Sequence, residues 1–270
     1  MEKTIIRNMT EGSVFRQLVA FSLPLLLANS LQTLYTTVDT LVVGRFVGTA
    51  ALSAVSTCGE LVNFYGMIGM GLASAGQIII AQFVGKNDKD SVGKTIGAMF
   101  SVLTVLAVLF SVLCILTLDR QLRWIKLPAE ALADGRRYTL VSAVGFVFIY
   151  GYNAVSAALR GMGDSKRPLL FVAIASVANL LLDLLFVLGF GWGAFGAALA
   201  TIMGQAFSLV SSVIYLYRRK DAFCFDFRLR SFRPERRYLK MLLQLGVPNA
   251  AQFAAILISV LFIGAQINSF

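Results

Sequence analysis

Apolar residues in this chain run in long blocks, separated by short groups of charge, glycine and proline. Blocks at or beyond the roughly 18–20 residues that a helix needs to cross a bilayer predict transmembrane α-helices, and the alternating segments of about ten residues that build a membrane β-barrel do not occur. The pattern places spans over about 17–43, 50–84, 92–118 and 138–159, a fifth from 169 to about 189, and a sixth from the glycine-rich turn near 193 to 217. Residues 218–240 are basic and aromatic, and another apolar block opens at 241. The expected organisation is a six-helix lobe over 1–217, a cytoplasmic linker lying at the membrane surface over 218–240, and the first helix of a second, truncated lobe over 241–270.

Inside the blocks, lone acids stand out. Asp183 is the only charge in the fifty residues 168–217, and Asp39 is the only charge between Arg16 and Arg45. A charged side chain at bilayer depth costs on the order of 2.5–3.5 kcal/mol on insertion scales, so such residues usually face a protein interior or a water-filled cavity. Asp39 lies five residues before Gly44 and Asp183 six before Gly189, on two helices that both run outward, which puts the acids at similar depth. Asn179, four residues before Asp183, shares its helical face and can hydrogen-bond either protonation state. Glu60 in the second span either lines a cavity or reaches water, and its position leaves both open. Asn153 and Ser156 share a face of the fourth span, where a polar residue serves a site or simply joins helices. Pro24 removes a backbone hydrogen bond from the first span and marks a place to bend.

Composition fixes the class. The chain is 57% apolar and 14% charged, with mean hydropathy +0.76; an average soluble chain is about 45–50% apolar and about 25% charged. A net charge of +10 does not point to nucleic acid, because the basic residues cluster between spans and at their ends. With an even number of spans before the linker, 18 of the 24 Lys and Arg fall on one side, which makes that side and the N-terminus cytoplasmic. The segment 119–137, with five basic residues on the opposite side, runs against this rule. The complete lack of His removes Ser-His-Asp catalysis, HExxH metal sites and Cys/His zinc sites. The three cysteines show no CxxC spacing and are expected to stay reduced.

Gly161-Met162-Gly163-Asp164 matches the GxGD string of intramembrane aspartyl proteases, but Lys166 and Arg167 flank Asp164 in a loop, and neither Asp39 nor Asp183 sits in the partner motif. An enzyme is therefore not expected. Near the other end, the string from Leu242 to Pro248 echoes the one from Leu18 to Pro24, 224 residues earlier, as an internal repeat would. Ile263 stands where the echo would put the counterpart of Asp39, so the acid belongs to the first half.

Taken together, Pro24 with Val38-Asp39-Thr40-Leu41-Val42-Val43-Gly44, Leu159-Arg160-Gly161-Met162-Gly163-Asp164 with Pro168, Asn179-Leu180-Leu181-Leu182-Asp183, and the run from Gly193 to Thr201 resemble the multidrug and toxic compound extrusion (MATE) transporters. Among these the resemblance is to the bacterial branch of the DNA-damage-inducible F type, over the N-terminal half and the seventh helix. It implies an all-α integral membrane protein of the bacterial inner membrane, a six-helix N-lobe of a twelve-helix transporter, working with a C-lobe of the same protein. It implies export of small cationic or amphipathic drugs or metabolites by alternating access in exchange for H+ or Na+, with no cofactor. The ion-coupling residues it implies are Asp39, Tyr138, Asn153, Asn179, Asp183 and Thr201, with Pro24 as the bending proline and Glu60 and Ser156 as possible cavity residues. Ser156 departs from the family pattern, in which a second Asn is common. A lipid-linked oligosaccharide flippase of the same superfamily is the nearest alternative; it is disfavoured because these spans carry acids and no interior Lys or Arg.

Overall fold

The computed structural model describes residues 13–218, 225 and 228–267. Nine α-helices are resolved among them: α1 (Val14–Phe46), α2 (Thr49–Gly85), α3 (Lys89–Leu116), α4 (Leu118–Trp124), α5 (Leu132–Val144), α6 (Phe146–Gly161), α7 (Lys166–Asp183), α8 (Gly193–Arg218) and α9 (Arg236–Ile267). No strand occurs among the described residues. Six helices are long and apolar enough to cross a membrane, and α5 with α6 make a seventh span broken by a 46° bend. The turns 86–88 and 162–165 and the described linker lie at one end of the bundle, here the basic end; α4 and the turn 190–192 lie at the far end.

Local chemistry explains where the helices start and stop. At the basic end Asn87 takes a left-handed conformation (φ 57°), which asparagine tolerates better than most residues. Asp88 then caps α3, accepting hydrogen bonds from Ser91 N at 3.1 Å and Ser91 Oγ at 2.6 Å. Hydrogen bonds from Ser91, aided by the nearby Arg237 and Lys94 charges, hold the Asp88 carboxyl below its usual range.

The fourth span was expected to be one helix over 138–159; it is two. At Gly145 the chain approaches α8 so closely that a β-carbon there would lie 2.0 Å from Ile202 Cδ1. The Gly145 carbonyl accepts from both Phe148 N (3.0 Å) and Ile149 N (3.3 Å). A tightened turn replaces one regular α turn, and the axis bends there. The fifth span also changes character: after Asp183 it continues as a π-helical stretch, Leu184–Gly189, closed by Phe190 N donating to Leu185 O at 2.9 Å. Phe186, Phe190 and Trp192 stack at this far end.

Helix α2 is the central post, packing on α1, α3, α5, α6 and α9. Its most extensive neighbour is α9. Gly71 permits that approach, since a β-carbon there would lie 2.6 Å from Ala250 Cα; Asn249 Nδ2 adds a hydrogen bond to Ser74 Oγ at 3.2 Å. Close approach through small residues is how apolar helices gain dispersion contact inside lipid. The described part of the linker packs on α3. Phe225 is buried, stacks on Phe100 and meets Phe232 edge to face, while Ser101 Oγ donates to the Phe232 carbonyl. Stacking on α3 removes these rings from water within the protein itself. Phe223 and Phe227 lie outside the described residues. Lys94 bridges Asp90 at 2.9 Å and Glu235 at 3.1 Å, tying the start of α9 to α3.

Candidate ion site and adjoining cavity

Helix α1 packs along α7 and its π-helical extension, and α7 packs on α8. This brings Asp39 of α1 beside Asp183, the last residue of α7, near enough for their charges to interact. Both acids also act on Tyr138 of α5. Asp183 is 1% exposed, Asn179 4% and Asp39 8%. Among the described residues no Lys or Arg pairs with either acid.

Gly204 of α8 packs on Asn179, with 3.1 Å from its would-be β-carbon to Asn179 Cβ. Because α7 and α8 run in opposite directions, three residues back along α8 lies opposite three or four forward along α7, which sets Thr201 at the level of Asp183. Asp39, Tyr138, Asn179, Asp183 and Thr201, five of the six residues expected at the ion site, thus converge from four helices. Asp39 Oδ1, Asp183 Oδ1, Thr201 Oγ1 and Asn179 Nδ2 are all buried with no hydrogen-bond partner of good geometry. Asn179 and Asp183 stand one turn apart on one face, close enough for the amide to act on the carboxyl, though Nδ2 and Oδ1 do not meet in good hydrogen-bond geometry. An unpaired buried polar atom costs about 1–3 kcal/mol, so a cluster of three oxygens and one amide nitrogen is a costly arrangement. A proton or a small hard cation is the species such an oxygen set accommodates.

The sixth residue, Asn153, lies elsewhere. It lines a cavity of about 180 Å³ between α1, α2, α6, α7 and α8, together with Asn29, Gln32, Asn63, Ser156 and Gln205. Tyr35, which the sequence did not single out, links the two places: it lines the cavity and stands one turn before Asp39, beside Gln205. Its spacing of four from Asp39 was the available signal. Glu60 is exposed and does not line this cavity. Pro24 is buried in an unbroken α1.

One expectation is overturned. The spans were read as carrying no interior Arg or Lys, with Arg160 in a basic turn. Instead Arg160 belongs to α6 and lines the cavity; its Nε donates to Gln77 Oε1 at 2.9 Å and its Nη1 to Ser156 Oγ at 2.6 Å. A long apolar stem lets the charge of a residue at a helix end reach polar groups away from its own backbone. Asp164, of the protease-like string, pairs with Arg167 and not with Asp39 or Asp183.

These features define a multi-pass helical membrane protein with two uncompensated carboxylates inside its bundle. Residues 24–185 match the MatE family model. The chain is 32% identical over 263 residues to the probable multidrug resistance protein YpnP of Bacillus subtilis, covering 97% of this chain and 58% of that protein. Its structure is similar to an outward-facing multidrug resistance MATE family transporter of the MOP superfamily (TM-score 0.88, 26% identity, 97% of this chain and 57% of that one). It is also similar to a MOP superfamily transporter from Pyrococcus furiosus Vc1 (TM-score 0.87, 25% identity, 97% and 57%).

The chain belongs to the MATE family, with the six-span N-lobe fold and the first helix beyond it. It spans a little under three fifths of the length of the relatives it matches.

Proposed function

We propose that this chain is the ion-coupling lobe of a secondary antiporter that exports cationic or amphipathic compounds in exchange for H+ or Na+ by alternating access. The paired, uncompensated acids carry the reading. Two carboxylates close together in a low-dielectric site repel, and each loses hydration there, so uptake of a proton or cation relieves both costs. Asp39 and Asp183 would take the ion, with Asn179, Tyr138 and Thr201 adjusting their hydrogen bonds around it. Asn153, in the cavity, would respond through Tyr35. Because Asp39 is carried by α1 and Asp183 by α7, a change in their repulsion acts between two helices, and Pro24 gives α1 a place to yield. The second lobe would complete the transport path, with residues 1–217, 218–240 and 241–270 serving as lobe, linker and entry to that lobe. The multidrug resistance names of the relatives support drugs as the exported class.

The test is efflux of a cationic dye from proteoliposomes holding the full-length protein, driven by an imposed pH or Na+ gradient. Asp39→Asn and Asp183→Asn should each lower gradient-driven efflux by at least about tenfold, the effect of losing roughly 1.4 kcal/mol. Efflux that keeps its gradient dependence in both variants would overturn the assignment.

A further inference from the structure

The segment 119–137 runs against the charge rule that orients the rest of the chain, and neither the ion site nor its cavity draws on its cations. It carries Arg120, Arg123, Lys126, Arg136 and Arg137 against Asp119, Glu130 and Asp134. Arg136 meets Asp119 at 3.6 Å, which ties α5 to α4, and Arg123 Nε donates to the Asp119 carbonyl at 3.1 Å. Arg120, Arg123, Lys126 and Arg137 are exposed and form no ion pair among the described residues. Helix α4 is two-sided. Leu118, Leu122 and, just past its end, Ile125 are buried, whereas Arg120, Arg123 and Trp124 fall on the opposite face at about 100° per residue. Trp124 is 54% exposed, and Leu116 and Leu132 nearby in the chain are exposed too. Lys126, where the chain reverses after α4, takes φ 51°, a conformation usually given to Gly or Asn. An exposed Trp and aliphatic side chains beside a group of cations form the pattern of a surface at the bilayer interface. On the cytoplasmic side such cations serve orientation; on the outer side they work against it, and an anionic partner there gives them a use.

We propose that this corner, α4 with the start of α5, docks anionic phospholipids of the outer leaflet, their phosphodiesters on Arg120, Arg123, Lys126 and Arg137 and their glycerol backbones beside Trp124. Guanidinium forks match phosphate oxygens in two-point bonds, and basic residues close to a bilayer surface draw anionic headgroups to themselves. Phosphatidylglycerol is preferred to phosphatidylcholine, whose own ammonium group compensates the phosphate and repels these side chains. The surface is separate from the ion site, and the inference does not rest on the antiport reading.

Trp124 is its own reporter. With Trp192→Phe it is the only Trp of the chain, and lipids brominated on their acyl chains quench its fluorescence at contact range. The purified chain is reconstituted into equimolar phosphatidylglycerol and phosphatidylcholine, with bromine on the first lipid in one sample and on the second in the other. Bilayer charge and composition are then the same in both. No gradient or substrate is present, so failure here and failure of the antiport reading are separate results. Brominated phosphatidylglycerol should quench more, with that lipid enriched around Trp124 by about fivefold over the bulk ratio, equivalent to roughly 1 kcal/mol. Arg120→Gln, Arg123→Gln and Arg137→Gln together should bring the two samples close to equality. Should that triple variant fail to fold, the chain with its arginines intact decides: KCl at about 1 M, where the Debye length is roughly 3 Å, should lower the preference, and inorganic phosphate at the same ionic strength should do no more than KCl. Equal quenching by the two lipids, quenching by neither, or a preference that survives the three substitutions or high salt unchanged would each overturn the proposal. So would a loss produced by phosphate beyond that of KCl, which would make the ligand a free anion.

Discussion

Asp183 sits where an α-helix passes into a π-helical stretch, almost fully buried, beside a second acid and without a cation among the described residues. Stability and ion handling oppose each other at such a position. Replacing the acid by its isosteric amide removes the charge-repulsion cost while preserving volume, so Asp183→Asn should leave the fold intact and raise stability by about 0.5–2 kcal/mol. The readout is the thermal midpoint in detergent; a clear fall would mean that the carboxylate serves packing. Asp39, Asn179 and Asp183 were legible in the sequence because polar residues in an apolar block are visible one at a time. Tyr35 was not, because tyrosine is ordinary in such helices and only its neighbours decide what its hydroxyl meets. Arg160 was misread for the related reason that a backbone position at a helix end does not say where a long side chain goes.

At the level of elements, glycines decide which helices can touch. A β-carbon at Gly71 would strike the backbone of α9, at 2.6 Å from Ala250 Cα and 2.7 Å from Ala250 N. One at Gly246 would meet the movable tip of Leu72, Cδ2, at 2.5 Å. Backbone cannot step aside as a side chain can, so Gly71→Ala should cost about 1–3 kcal/mol as an overpacking change, and Gly246→Ala less. Thermal midpoints of the two variants give the order, and a reversed order would contradict this packing.

The start of α3 offers a pH test. The Asp88 carboxyl is held below its ordinary value of 3.8, chiefly by the hydrogen bonds from Ser91. A group depressed in the folded state contributes stability above its unfolded value and loses that contribution as pH falls through the folded one. Wild type should therefore lose part of its margin over Asp88→Asn as the pH drops below 3.8, with little change in that margin between neutrality and about pH 5. Melting curves across that range check it. The sequence showed the charged turn here, but the bend at Gly145 and the π-helical stretch after Asp183 left no mark in it. Both arise where a neighbouring helix or a stacked aromatic cluster overrides the regular hydrogen-bond ladder.

On the scale of the molecule, the distribution of basic residues predicts the orientation. In a cysteine-free background, Asn87→Cys should react with a membrane-impermeant maleimide only from the cytoplasmic side and Glu130→Cys only from the outside; labelling in the reverse sense would invert the topology. The spans themselves were legible because bilayer thickness imposes a length and an apolarity on any crossing helix, and those are properties of consecutive residues. The same holds for the cost of a lone acid, so the sequence by itself determined the membrane class, the number of apolar blocks and the two carboxylates. The tertiary structure alone decided that Asp39 and Asp183 come together, that Tyr35, one turn from Asp39, lines a cavity, and that Arg160 lines the same cavity. Each depends on which helices pack together and at what register, and periodicity along one helix carries no information about the neighbour it will meet.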